Sequence, residues 1–144
     1  MSNTVTQISI TLENAPGTLS TLSDILGKEG INVGAVSLAE STEQSIVRLI
    51  TDNPGKAVQV LTSAGYQVTS REVIAVETPD HPGGLNAVLK PLSVANVNVH
   101  YLYPFLRRVS DNPILIFRVS DTEKAIQVLK DSYIRIIGDS IYNL

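Results

Sequence analysis

The chain has 144 residues, a formal net charge of -3, 43% hydrophobic and 17% charged residues, and no cysteine. That balance belongs to a folded globular protein near the size of one ordinary domain, and it excludes disulfides, thiolate chemistry and cysteine-based metal sites. Beyond Arg107-Arg108 there is no basic cluster, which argues against nucleic acid, and no apolar run approaches the length of a membrane span. The opening residues Met1-Ser2-Asn3-Thr4 carry no basic region followed by an apolar core, so the expected location is the cytoplasm.

Along the chain, Gln7-Ile8-Ser9-Ile10-Thr11-Leu12 alternates polar and apolar at period two, the mark of a half-buried strand. Asn14-Ala15-Pro16-Gly17 breaks it, and Leu19, Leu22, Ile25 and Leu26 then recur at helical spacing. The spacing predicts a helix over 17–28, with Asn14 or Ala15 to cap it, Pro16 in its first turn and Gly30 to end it. Residues 31–38 and 45–51 read as two strands joined by the polar turn Glu40-Ser41-Thr42-Glu43. Asp52-Asn53-Pro54-Gly55 starts a second helix, whose Ala57, Val60, Leu61 and Ala64 form one apolar stripe and whose stop is Gly65. A last strand follows Tyr66.

The second half repeats the first. Adding 66 carries Pro16-Gly17 onto Pro82-Gly83, Leu19 onto Leu85, Leu26 onto Leu92 and Asn32-Val33 onto Asn98-Val99, with Asp80 opposite Asn14. The offset drifts to 69 where Thr51-Asp52 meets Ser120-Asp121, then to 68 where Ala57 to Leu61 meets Ala125 to Leu129. Leu85, Val88, Leu89 and Leu92 rebuild the helical stripe, with Pro91 inside it expected to kink or shorten the helix. One segment is claimed twice: residues 73–78 match the first strand by 66, while residues 72–77 match residues 139–144 by 67. Either residues 66–71 close the first unit, or residues 66–78 form one long strand that both units share or exchange. The order strand, helix, strand, strand, helix, strand implies an α+β fold of two ferredoxin-like βαββαβ repeats, residues 1–71 and 72–144, with antiparallel sheets and helices on one face.

Two loops stand out. Asn14-Ala15-Pro16-Gly17-Thr18-Leu19 and Asp80-His81-Pro82-Gly83-Gly84-Leu85 each join a strand to the positive end of a helix, where unpaired N–H groups suit a carboxylate and glycine admits a ligand close to the main chain. Sixteen residues after each proline come Asn32-Val33 and Asn98-Val99, at the entry to the next strand. An amide both donates and accepts, so it can satisfy either end of an amino-acid zwitterion. A plainer reading stays open, in which Asn14 and Asp80 cap helices while proline and glycine shape the turns.

The loop Asn/Asp-x-Pro-Gly, followed by Gly30-Ile31-Asn32-Val33 or Asn96-Val97-Asn98-Val99 inside such a unit, resembles the ACT domain. Residues 5–144 as a whole resemble the small stand-alone tandem ACT proteins. The resemblance implies a non-catalytic regulatory module, without cofactor, that binds a small amino acid at the interface of ACT repeats. It implies ligand contact at Asn14, Gly17 and Asn32 and again at Asp80, Gly83 and Asn98, with Ala15, Pro16, Thr18, Val33, His81, Gly84, Leu85 and Val99 in the same stretches. Where serine-sensing members carry histidine two residues before the loop's Asn or Asp, this chain has Leu12 and Thr78, which departs from serine specificity. The carboxylate of Asp80 in place of the Asn14 amide predicts two sites of unequal affinity.

The remaining chemistry-bearing residues read blandly. His81 and His100 lack the further ligands of a metal site, no Gly-x-Ser-x-Gly elbow is present, and neither Gly-x-Gly-x-x-Gly nor a P-loop appears. The aromatic stretch from Val97 to Phe105 is expected to be buried against a second sheet, and Arg107 and Arg108 to be solvated. The expected partners are a free amino acid, a second copy in a homodimer and a partner enzyme or transporter. The alternative is an interaction and dimerisation module that binds no ligand and regulates such a partner.

Overall fold

The alternation of residues 7–12 becomes strand β1 (Val5–Glu13), in a computed structural model that describes residues 2–108 and 111–143. Ile8, Ile10 and Leu12 share one face with Val47 and Leu49 of β3 (Gln44–Thr51), and there they bury Leu22 and Leu26 of α1 (Thr18–Lys28) and Ala57 and Leu61 of α2 (Pro54–Ser63). β3 pairs antiparallel with both β1 and β2 (Val33–Glu40), so β2 is an edge strand. Helix α2 starts on local chemistry alone: Asn53 accepts from the Lys56 N–H at 3.2 Å, and Pro54 fills the first turn.

The start of α1 differs from the sequence expectation. Its N-cap is Gly17, in the left-handed region at φ 85, and among the described residues no side chain caps the helix. Asn14 stands three residues too early to reach the first-turn N–H groups, and its amide instead donates to Glu40 Oε2 at 3.4 Å.

The second repeat rebuilds this arrangement from β4 (Val68–Glu77), α3 (Gly84–Val94), β5 (Val99–Pro104), β6 (Ile114–Val119), α4 (Thr122–Asp131) and the short β7 (Ile136–Ile137). Its sheet runs β5-β6-β4-β7, antiparallel throughout, with β5 at an edge. Ile74, Val76, Phe117 and Val119 bury Val88, Leu92, Ala125 and Leu129 on one face. Pro91 does not shorten α3, which has the same eleven residues as α1. Proline removes one donor but keeps its carbonyl, and that carbonyl accepts from the Ala95 N–H at 3.1 Å, so the last turn still closes.

The doubly claimed segment is one strand, β4. The chain divides into two units, Thr6–Arg71 in one and Glu72–Leu144 with Met1–Val5 in the other, so the boundary falls inside β4. Residues 139–143, which the offset of 67 matched to a strand, form a 3-10 helix instead. The closing strand of the second repeat is Ile136-Ile137, opposite Val76 and Ala75. In that unit the Ser2 carbonyl lies against Gly138, where an added Cβ would come within 2.1 Å of it, and Thr4 Oγ1 donates to Glu72 at 3.0 Å. Among the described residues no helix is long and apolar enough to cross a membrane.

Both edge strands carry a bulge at the same place, between Val33 and Ala35 and between Val99 and Tyr101. The register pairs Val33 with Thr51 and Val99 with Val119, so Thr51 corresponds to Val119 and the offset of 69 is replaced by 68. Val119 sits in the second core, whereas the Thr51 hydroxyl is buried and meets no hydrogen-bond partner among the described residues. Such a group costs about 1–3 kcal/mol. Thr51→Val is therefore expected to stabilise the protein by about 1 kcal/mol, read as a higher denaturant midpoint. A lower midpoint would show that the hydroxyl is hydrogen-bonded in solution.

Candidate functional site

The two Pro-Gly loops share one backbone. Gly17 and Gly83 both sit at φ 85 as N-caps, and among the described residues no side chain caps α1 or α3. A residue in this conformation is strained unless it is glycine, and the uncapped first turn leaves N–H groups at the positive end of each helix dipole. In the first loop Asn14, Ala15, Pro16 and Gly17 are exposed. Thr18 Oγ1 donates to the Glu13 and Ala15 carbonyls at 3.0 and 3.1 Å, which ties the loop to the helix.

The second loop is braced differently. Arg108 places both terminal guanidinium nitrogens 3.1 Å from Asp80 Oδ2 and also donates to the Asp111 carbonyl, so Arg108 is not merely solvated. The carboxylate that replaces the Asn14 amide is thereby matched by a cation. The pair is about half exposed and contributes little to stability. Its partners stand 28 residues apart, a separation that carries no sequence signal. His81 Nδ1 lies 2.8 Å from the Pro82 carbonyl, as a turn residue would, and Leu85 is exposed. Gly84 is buried against the Pro79 carbonyl.

The asparagines at the strand entries lie elsewhere. Asn14 follows β1, and the eleven-residue α1 then carries the chain back by roughly 16 Å before Asn32 enters β2 at the other end of the sheet. Asn32 is anchored there, its N–H donating to Asp52 Oδ1 and its carbonyl accepting from the Asp52 N–H, both at 3.0 Å. Asn98 repeats the arrangement with Ser120, at 2.9 Å each way, and its amide lies 3.5 Å from His100 Nδ1. Within one repeat, then, the fold does not bring the loop and the later asparagine together. Val33 and Val99 pack against the two cores.

Two cavities adjoin these residues. One of about 280 Å³ is lined by Thr11, Leu12, Glu13, Thr18, Thr21 and Tyr66. Another, of about 360 Å³, is lined by Leu89, Leu92, Ser93, Asn96, Val97, Asn98 and Val99. Sequence reasoning missed Glu13, Thr21, Tyr66, Ser93 and Asn96, because each changes type between the repeats, opposite Pro79, Ala87, Ile134, Gly27 and Gly30 respectively, and a site sought as a repeated set passes over them. Among the described residues no three His, Cys, Asp or Glu side chains gather as a metal ion requires.

A family model described as an ACT domain pair matches residues 3–142. The chain belongs to the ACT domain pair family. A crystal structure from Bacteroides thetaiotaomicron is similar at 34% identity and a TM-score of 0.91, covering 99% of this chain and 100% of that one. The regulatory subunit of aspartate kinase from Thermus thermophilus, solved free of ligand, is 13% identical with a TM-score of 0.63, over 89% of this chain and 92% of that one. An aspartate kinase from Clostridium acetobutylicum is 17% identical with a TM-score of 0.57, over 90% of this chain and 33% of the enzyme. At such identities the last two likenesses are of fold alone. No curated protein sequence matches the chain. In this ACT pair, Leu12 and Thr78, which stand where the resemblance places histidine in serine-sensing members, are both buried. Thr78 donates to the Val76 carbonyl at 3.3 Å, and Leu12 lies at the cavity beside Thr18.

Proposed function

We propose that the chain is a non-catalytic regulatory module that binds a free small amino acid through its ACT repeats, acts as a homodimer in the cytoplasm, and reports to a partner enzyme or transporter. The observation that carries this is the repeated glycine N-cap at Gly17 and Gly83, with no side-chain cap, in a chain of this family. An uncapped helix N-terminus attracts a carboxylate, and glycine lets the ligand reach it. Since α1 separates Asn14 from Asn32 by about 16 Å, the amide facing the loop has to come from a second copy of the repeat. The edge position of β2 supports such pairing: Val36 and Leu38 on it are 38% and 54% exposed. The same exposed residues support the second reading, a pairing module whose loops bind nothing.

Asn14→Ala and Asn32→Ala are each expected to weaken amino-acid binding about tenfold to hundredfold, since a hydrogen bond to a charged group is worth about 1.5–3 kcal/mol. Stability should stay within about 0.5 kcal/mol of wild type, because the Asn14 side chain caps no helix. Calorimetry against the twenty amino acids, with thermal unfolding as control, reads both. If no amino acid binds at millimolar concentration, the pairing module takes the place of the sensor.

A further inference from the structure

The two loops share a backbone but not a neighbourhood. In the first repeat the cavity of about 280 Å³ opens between the end of β1, the first turn of α1 and Tyr66. Its polar lining is biased toward acceptors. Thr18 Oγ1 gives its proton to the Glu13 and Ala15 carbonyls, and Thr21 Oγ1 gives its own to the Gly17 carbonyl at 3.0 Å. A hydroxyl has a single proton, so both oxygens have only lone pairs left to offer. The Glu13 carbonyl, which accepts from Thr18, is a further acceptor, and Leu12 and Tyr66 complete the lining. Such a space accepts an apolar stem ending in a donor and opposes a carboxylate.

The second repeat has replaced that chemistry. Thr18, Thr21 and Tyr66 correspond to Gly84, Ala87 and Ile134, and Glu13 to Pro79. A Cβ on Gly84 would lie 1.9 Å from the Pro79 carbonyl oxygen, so the first turn of α3 rests directly on the strand end and no side chain fits between them.

We infer that the first repeat carries a side-chain pocket selecting amino acids whose side chain ends in a hydrogen-bond donor, a hydroxyl or an ammonium, and that the second repeat's loop takes no such ligand. The inference rests on the amino-acid-binding reading above. It is tested by calorimetry on the full chain with threonine, its isostere valine, lysine and aspartate. Threonine or lysine should bind about tenfold or more tighter than valine and aspartate, at one equivalent per chain. Thr18→Val and, separately, Thr21→Val should erase most of that preference, while Thr18→Ser keeps it, and circular dichroism should show all three folded. Valine or aspartate binding as tightly as threonine and lysine, an unchanged preference in both valine variants, or two equivalents per chain would overturn the pocket and leave amino-acid binding standing. Failure of all amino acids to bind overturns both.

Discussion

Gly84→Ala is expected to destabilise the second repeat by about 3 kcal/mol or more, whereas Gly17→Ala, at a loop of the same backbone conformation, should cost about 1–2 kcal/mol. The two costs arise differently. Gly17 is at φ 85 with nothing within 4 Å of a built Cβ, so a side chain there meets backbone strain but no neighbour. Gly84 needs no left-handed backbone, yet its Cβ would stand 1.9 Å from the Pro79 oxygen and 2.7 Å from its carbonyl carbon. Those are main-chain atoms at a strand end and cannot rotate aside. Either the first turn of α3 lifts off the sheet, exposing Val88, or the strand end moves with Thr78, whose N–H is bonded to the Pro113 carbonyl at 2.9 Å. Chemical denaturation of the two variants compares them directly. If Gly84→Ala proves the milder change, the close seating of α3 is wrong, and with it the contrast between the loops.

Phe117→Ala should cost about 3–5 kcal/mol, a large share of the roughly 5–15 kcal/mol that holds a domain together. Phe117 is fully buried in the centre of β6, opposite Ile74 on one side and Leu102 on the other, beneath the helices of the second repeat. Truncation leaves a cavity whose walls are a hydrogen-bonded sheet and two helices, which collapse poorly around it. The first repeat shows what the site tolerates: Leu49 holds the corresponding place, 68 residues earlier, in its own core. Phe117→Leu should accordingly lose far less than the alanine variant. Hydrogen exchange should show faster amides in β4, β5 and β6 for Phe117→Ala. Uniformly unchanged protection there would mean that this cluster is not what holds the sheet.

Much of the fold was legible because it is written in short-range contacts. The alternation of residues 7–12, the stripe of Leu22 and Leu26, and the Asn53-Pro54 start of α2 act within four residues of themselves, so the pattern and the element coincide. Duplication made the loops visible, since Pro16-Gly17 and Pro82-Gly83 mark the same turn twice. Where two local solutions competed, the pattern misled. Asn14 looked like a cap, yet the turn through Pro16 carries the chain past it, and Gly17 takes the position because glycine alone adopts φ 85 without strain.

The amino-acid sequence by itself determined the element order, the repeat and the family loops, all of which follow from backbone preference and the burial of apolar stripes. Only the tertiary structure decided which side chains meet: Arg108 on Asp80, Tyr66 beside Thr18 and Thr21, Gly84 on Pro79, and Asn32 at the far end of the sheet from Asn14. Those meetings depend on strand register and on how closely each helix seats on its sheet, and neither leaves a periodicity in the chain, because packing joins residues by shape and not by spacing.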